Sequence, residues 1–272
     1  MAKTFTLAVI GVGNMGGALV NGVVSAGALA PENIVVVDAD QSRSAALSKE
    51  SGVQSAKTNA EAARDSEYVV LAVKPGVIRP VVEEIAGVMR EEQTLVSFAA
   101  GVPLSRMREP LGAARPALVR VMPNTPALVG AGMFAVAAPG VPPERVAELK
   151  DLLGAVGDVV EVAEGMMDAV TGLSGSGPAF VFVMIEALAD GGVAAGLPRA
   201  VAHRLAVQTV EGAARMVRET GEHPGALKDA VASPGGTTIA GLAELERAGF
   251  RAAAASAVRA AAKRARELSE EK

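Results

Sequence analysis

Seven short apolar runs punctuate the first 163 residues of this 272-residue chain, and helical patterns fill most of the gaps between them. The runs fall at residues 5–10 (F-T-L-A-V-I), 34–37 (I-V-V-V), 69–73, 94–98, 117–121, 133–138 and 158–162. Helical spacing appears around 15–26, 41–50, 60–65, 77–90 and 142–156. Short buried strands alternating with helices of this length predict a parallel, doubly wound sheet, so residues 1–163 are read as a Rossmann-type α/β domain. After about Glu164 the strand signals stop. Helical segments take over at roughly 178–190, 198–218, 225–232, 238–248 and 250–268, which predicts an all-α C-terminal domain over 164–272.

Composition narrows the functions such a chain can serve. Half of the residues are hydrophobic but only 3% are aromatic, so the core must be built from Ala, Val, Leu, Ile and Met. The helical part is rich in small residues (Gly191, Gly192, Ala194, Ala195, Gly196), which lets helices approach closely. A lone helical domain of about a hundred residues would leave much apolar surface bare, so self-association through 165–250 is expected. A net charge of −4 gives no support for a nucleic-acid surface. The absence of cysteine excludes disulfides, thiol nucleophiles and thiolate metal sites. His203 and His223 are isolated, so no metal site is expected. The N-terminus imitates a secretory signal, but its apolar run ends at Gly11, and no later uncharged stretch is free enough of Gly, Ser and Pro to span a bilayer. A cytoplasmic protein without membrane contact is the simplest expectation.

Gly11-Val12-Gly13-Asn14-Met15-Gly16 fits G-x-G-x-x-G, directly after a strand and opening a helix. In that context the pattern signals a dinucleotide site, the bland alternative being a glycine-rich turn with no ligand. Gly11 permits the tight turn, Gly13 lets a pyrophosphate approach the backbone, and Gly16 allows close helix–strand packing. The helix N-terminus, with Asn14 and Met15, faces the phosphates. Asp38 closes the second strand, where an acid can hydrogen-bond ribose hydroxyls and repel the extra phosphate of NADP. Arg43 follows five residues later and opposes that effect. Local charge tilts toward NADH, and the choice between NADH and NADPH stays open. Leu71-Ala72-Val73-Lys74-Pro75 is a second strand end on the same edge, where Lys74 is either a phosphate contact or a surface lysine. Arg120-Val121-Met122-Pro123-Asn124-Thr125-Pro126 is a third; its prolines fix the path while Asn124 and Thr125 offer hydrogen bonds.

Ser233-Pro234-Gly235-Gly236-Thr237-Thr238 stands apart in the helical part. Two glycines turn the backbone tightly and the threonines open a helix running Ile239, Leu242, Leu245, so several backbone N–H groups converge where a small carboxylate would sit. The competing reading is an ordinary helix cap.

Taken together, the stretches at 11–16, 71–75 and 121–126, with T-G-L-S-G-S-G-P-A at 171–179 and S-P-G-G-T-T at 233–238, resemble Δ1-pyrroline-5-carboxylate reductases over nearly the whole chain. The resemblance implies hydride transfer from NAD(P)H to the C=N carbon of pyrroline-5-carboxylate, giving L-proline in the last step of proline synthesis. It places Asn59 near the adenosine ribose, and Ala72, Val73, Lys74, Pro75 and Asn124 around the cofactor. It implies that the substrate carboxylate meets Gly236, Thr237 and Thr238, that the Thr238 hydroxyl bonds the ring nitrogen, and that Ser174, Gly175 and Ser176 shape the facing wall. It also implies dimers whose helical domains interlock, and rings of dimers. The chain departs from the family pattern at Gly76, where many members carry a larger polar residue, and at Asp38, where NADPH-preferring members often have Ser, Thr or a nearby Arg. The rival readings are a β-hydroxyacid dehydrogenase, which needs a lysine acid/base (Lys228 is the only one between 165 and 250), and a non-catalytic dinucleotide-binding regulator.

Overall fold

The computed structural model describes residues 5–270. In chain order the first part runs β1 (Phe5–Ile10), α1 (Asn14–Ser25), β2 (Ile34–Val37), α2 (Gln41–Ser51), β3 (Gln54–Ser55), α3 (Asn59–Arg64), β4 (Ser66–Leu71) and α4 (Ile78–Ala86). It continues with β5 (Thr94–Ser97), α5 (Leu104–Leu111), β6 (Ala117–Met122), β7 (Gly132–Ala137), α6 (Pro143–Gly154), β8 (Gly157–Glu161) and α7 (Met167–Val170). Only helices follow: α8 (Gly177–Ala194), α9 (Arg199–Thr220), α10 (Pro224–Val231), α11 (Thr237–Arg247) and α12 (Phe250–Glu270).

The eight strands form one sheet in the order β3-β2-β1-β4-β5-β6-β7-β8, doubly wound as expected. Every neighbouring pair is parallel, as expected, except β6 and β7, which run antiparallel. Between Met122 and Gly132 lies only a 3-10 turn, Thr125–Val129, too short for the helical crossover a parallel return requires.

Pleating divides the strand side chains between two cores. Leu7, Val9, Val36, Val70, Val96 and Val119 face one side, packed under Leu19, Val20 and Val23 of α1 and Leu149 and Leu153 of α6. Ala8, Ile10, Val35, Val69, Leu71, Leu95 and Leu118 face the other, under Ile78, Val82 and Ile85 of α4 and Met107 of α5. Both faces are covered, as a parallel sheet demands.

The chain divides into two compact units, residues up to Ser176 together with those from Ala261 on, and Gly177–Ala260. This division falls later than the boundary read at 163/164. In the first unit, Met167 is fully buried against Ala135 and Ala137 of β7, and Arg106 donates to the Ser269 carbonyl at 2.8 Å. In the second unit, α8 and α9 pack through Ala189, Ala202 and Ala206, whose small side chains allow the close approach. Much of its apolar surface is bare in the single chain: Phe182 is 62% and Val183 66% exposed. One stretch among the described residues, Glu164–Ala194, is long and apolar enough to cross a membrane by length and composition alone. It contains Glu164, Asp168, Glu186 and Asp190 and the run Gly175-Ser176-Gly177-Pro178, so it is not an uncharged stretch free of Gly, Ser and Pro, and an unpartnered interface helix carries the same signature.

Candidate active site

The ends of β1, β2 and β4 meet at one edge of the sheet. Gly11 N–H donates to the Val37 carbonyl and Ala72 N–H to that of Ile10, each at 2.8 Å, so the glycine loop and the Ala72-Val73-Lys74 segment are bound to neighbouring strand ends. Gly11 has φ +93°, and a Cβ there would lie 2.8 Å from the Ala72 oxygen. At Gly16 a Cβ would fall 1.9 Å from the Gly11 oxygen. These two glycines are required by the protein's own packing. Gly13 differs: a Cβ there meets nothing within 4 Å. Nothing in the protein demands glycine at 13, and the open space in front of it suits a ligand passing close to the backbone. Gly13 caps α1 without a side-chain cap, and no acid stands in the first turn, so the helix presents uncapped N–H donors there.

Asp38 is held rigidly at the end of β2. Its Oδ2 accepts from Val12 N–H at 2.8 Å and its Oδ1 from Asp40 N–H at 2.9 Å. It lines a cavity of about 650 Å³ with Arg43, Lys57, Asn59 and Lys74. Asn59 donates from Nδ2 to Glu84 Oε2 at 2.7 Å, which orients it in that wall. Arg43 lies 3.5 Å from Asp40 in an exposed ion pair and also lines a second cavity, along Asn14 and Gly17 on α1. Ala72, Val73 and Lys74 are shared with a third cavity of about 360 Å³, which Met15, Phe98, Met122, Asn124 and Gly175 complete. Pro75 opens the 3-10 turn that follows Lys74.

The expectation for Asn124 changes in character. Its Oδ1 accepts from Met133 N–H at 2.8 Å and its Nδ2 donates to the Ser174 carbonyl at 3.1 Å. The side chain ties three segments together, which makes it a positioning residue for this wall. Ser174 Oγ donates to the Val170 carbonyl at 3.1 Å within the π-helical turn Thr171–Gly175. Gly175 is forced small, since a Cβ would lie 2.6 Å from Met122 Cε. Ser176 N–H donates to the Thr171 carbonyl and closes the turn. Sequence reasoning missed Phe98 and Met122 as wall residues, although both stand at strand ends on the ligand-facing edge.

In the second unit, Gly235 takes φ +66° and Gly236 N–H donates to the Ser233 carbonyl at 3.1 Å, closing the turn before α11. Gly236 is the N-cap, with no side-chain cap bond and no acid in the first turn, so the N–H groups of Thr237 and Thr238 stand ready for an anion. By contrast Asp40, Thr58 and His223 cap α2, α3 and α10 with their side chains. His223 accepts from Gly225 N–H at 3.0 Å, a structural role. Among the described residues no group of three His, Asp or Glu is arranged to hold a metal ion.

Comparison with known proteins shows the family. A family model described as pyrroline-5-carboxylate reductase dimerisation matches residues 164–268, and one described as NADP oxidoreductase, coenzyme F420-dependent, matches 6–101. A pyrroline-5-carboxylate reductase from Synechocystis is 51% identical over 96% of this chain and 97% of its own length. The structure of a pyrroline-5-carboxylate reductase from Coxiella burnetii superposes with a TM-score of 0.93 at 36% identity, covering 98% of this chain and 100% of that one. The Plasmodium falciparum pyrroline carboxylate reductase with NADP bound gives a TM-score of 0.86 at 32% identity, covering 98% and 99%. An identity this high along the whole length, on a matching fold, means that the chain belongs to the pyrroline-5-carboxylate reductase family.

Proposed function

We propose that this NAD(P)H-dependent oxidoreductase reduces the cyclic imine of Δ1-pyrroline-5-carboxylate to L-proline. The observation that carries the reading is the uncapped N-terminus of α11 behind its double-glycine turn, an anion seat built for a carboxylate. The N–H groups of Thr237 and Thr238 hold the substrate carboxylate over Gly236, whose own N–H is bonded to the Ser233 carbonyl, and Ser174, Gly175 and Ser176 contribute to substrate binding. The Thr238 hydroxyl hydrogen-bonds the imine nitrogen and fixes the orientation of the C=N carbon. A cyclic imine protonated before reaction needs no strong general acid, and the carbon accepts a hydride while its nitrogen keeps the proton. NAD(P)H supplies that hydride when bound. Gly11, Gly13, Asn14, Met15 and Gly16 hold its pyrophosphate against the α1 N-terminus, Asp38 and Asn59 its adenosine ribose, and Ala72, Val73, Lys74, Pro75 and Asn124 line its path. Consumption of NADH or NADPH on adding pyrroline-5-carboxylate, with stoichiometric proline, tests this; no turnover, or turnover only with a hydroxy acid, overturns it.

Cofactor choice follows from charge. NADH is expected to support turnover at least as well as NADPH, because the Asp38 carboxylate is fixed by two backbone N–H groups where a ribose phosphate would arrive. Asp38→Ser should raise NADPH efficiency relative to NADH. Asp38→Asn keeps the size and removes the charge, separating repulsion from lost hydrogen bonds. An unchanged ratio of kcat/KM values in both variants would mean that Asp38 faces elsewhere.

Self-association follows from the dimerisation region and the bare apolar helices of the second unit. An obligate dimer, extended to rings of dimers in the cytoplasm, is the assembly this reading supports. Its melting temperature should rise with protein concentration. Light scattering that finds an active monomer at micromolar concentration would exclude it.

A further inference from the structure

A cavity of about 440 Å³ lies at the edge of the sheet opposite the glycine loop, where β6 begins and β7 ends. That volume falls within the roughly 300–1,000 Å³ typical of small-molecule sites. Its lining includes Arg108 of α5, Arg115 of the loop that follows, Arg145 of α6 and the Pro139–Pro142 turn, with Glu91 as the single acid. None of the residues assigned above to cofactor or substrate belongs to it.

Two of the three guanidinium groups are held in place by backbone. Arg108 Nη2 donates to the Pro116 carbonyl at 3.1 Å, and Arg115 Nη1 donates to the carbonyls of Gly112 and Ala114. Tyr68 Oη, bonded to Glu148 at 2.6 Å and to the Arg145 carbonyl at 3.1 Å, anchors the start of α6. Arg108 Nη1 is buried with no hydrogen-bond partner, alone in this among the side-chain atoms of the described residues. A buried charged donor left unpaired is costly, and arginine cannot shed its proton to escape the cost. Burial, with the Arg115 charge nearby, pushes the Arg108 guanidinium pKa down, as befits a cation lacking its counter-ion.

We propose that this cavity binds a phosphate-class dianion, either free or carried by a small metabolite. The phosphate pairs with the Arg108 guanidinium, whose charge has no counter-ion, and Arg115 and Arg145 balance its second charge. Guanidinium forks match tetrahedral oxyanions in geometry as well as charge, which favours phosphate over a single carboxylate. The proline-rich wall at 139–142 accommodates whatever the phosphate is attached to. Bound there, the anion joins the 112–116 loop to α6 and stiffens an edge of the sheet remote from the reaction.

Calorimetric titration of the full chain, saturated with NADPH so that the dinucleotide site is filled, tests the proposal with inorganic phosphate and ribose 5-phosphate as probes. Saturable binding of either is expected, with no equivalent heat from sodium chloride at matched ionic strength. Arg115→Gln, at an exposed position, should weaken it about tenfold, the effect of one charge-assisted contact. Arg108→Gln should do the same, and if that variant fails to fold, Arg145→Gln takes its place. Tighter binding of ribose 5-phosphate identifies a metabolite, and tighter binding of phosphate a free oxyanion; either carries the proposal. Binding unchanged in Arg115→Gln and Arg145→Gln, binding lost as NADPH rises, or heat equal to that of chloride overturns it.

Discussion

Replacing Thr238 with alanine is expected to lower turnover roughly 30–1,000-fold, the effect of removing one oriented hydrogen-bond partner, here the oxygen that accepts from the iminium N–H, worth ~2–4 kcal/mol at a reacting centre. The proposed carboxylate seat uses backbone N–H groups, which survive the substitution, so apparent substrate affinity should change much less and NAD(P)H binding hardly at all. The competing view makes Thr238 a helix cap worth about 1 kcal/mol of stability. The structure weakens that view, because Gly236 is the N-cap of α11 and no side-chain cap bond is present. Thr238→Ala should therefore melt close to the parent protein while losing most of its rate. Turnover and melting temperature measured on one sample decide it: lost stability with near-normal turnover would return Thr238 to the role of a cap.

The fold was legible wherever burial on both faces left an unbroken apolar run, as in Ile34–Val37, all four residues of which are buried. It was illegible where an element is too short or too mixed to carry a period. β3 is two exposed residues held by pairing with β2. α5 follows Pro103 and contains Pro110, so its helical spacing is hidden behind residues that ordinarily mark a break. The antiparallel turn of β7 depends on a 3-10 turn standing in place of an α-helical crossover between Pro123 and Ala131, which strand patterns do not reveal. In the candidate site, the glycines could be read because their need for φ freedom or close approach is local. The engagement of Asn124 with Met133 and Ser174 could not, since one partner lies fifty residues away. Arg108 was equally silent: the Pro116 carbonyl it bonds and the cavity it lines with Arg145 of α6 are brought to it only by the fold.

Alanine at Gly16 and alanine at Gly13 should both impair the dinucleotide site, for opposite reasons that two measurements separate. At residue 16 the new Cβ would lie 1.9 Å from the Gly11 oxygen and 3.2 Å from the Ala72 Cβ, against backbone that cannot step aside cheaply. Either α1 or the glycine loop must move, and overpacking of this kind costs about 1–3 kcal/mol of stability. A shift of about 1 Å in the donors that hold the cofactor can cost on the order of 10²-fold in rate. Gly16→Ala should thus lower both melting temperature and cofactor affinity. At residue 13 φ is −68° and a Cβ meets nothing within 4 Å, so the protein accepts alanine, losing no more than about 1 kcal/mol at a cap position. The methyl group instead occupies the space that the pyrophosphate would enter. Gly13→Ala should melt near the parent temperature yet bind NADH and NADPH at least tenfold more weakly, about 1.4 kcal/mol. Fluorescence titration of both cofactors against each variant provides the test. Parent-like affinity in Gly13→Ala would mean that the phosphates do not pass over residue 13, and the assignment of the whole 11–16 loop would fall with it.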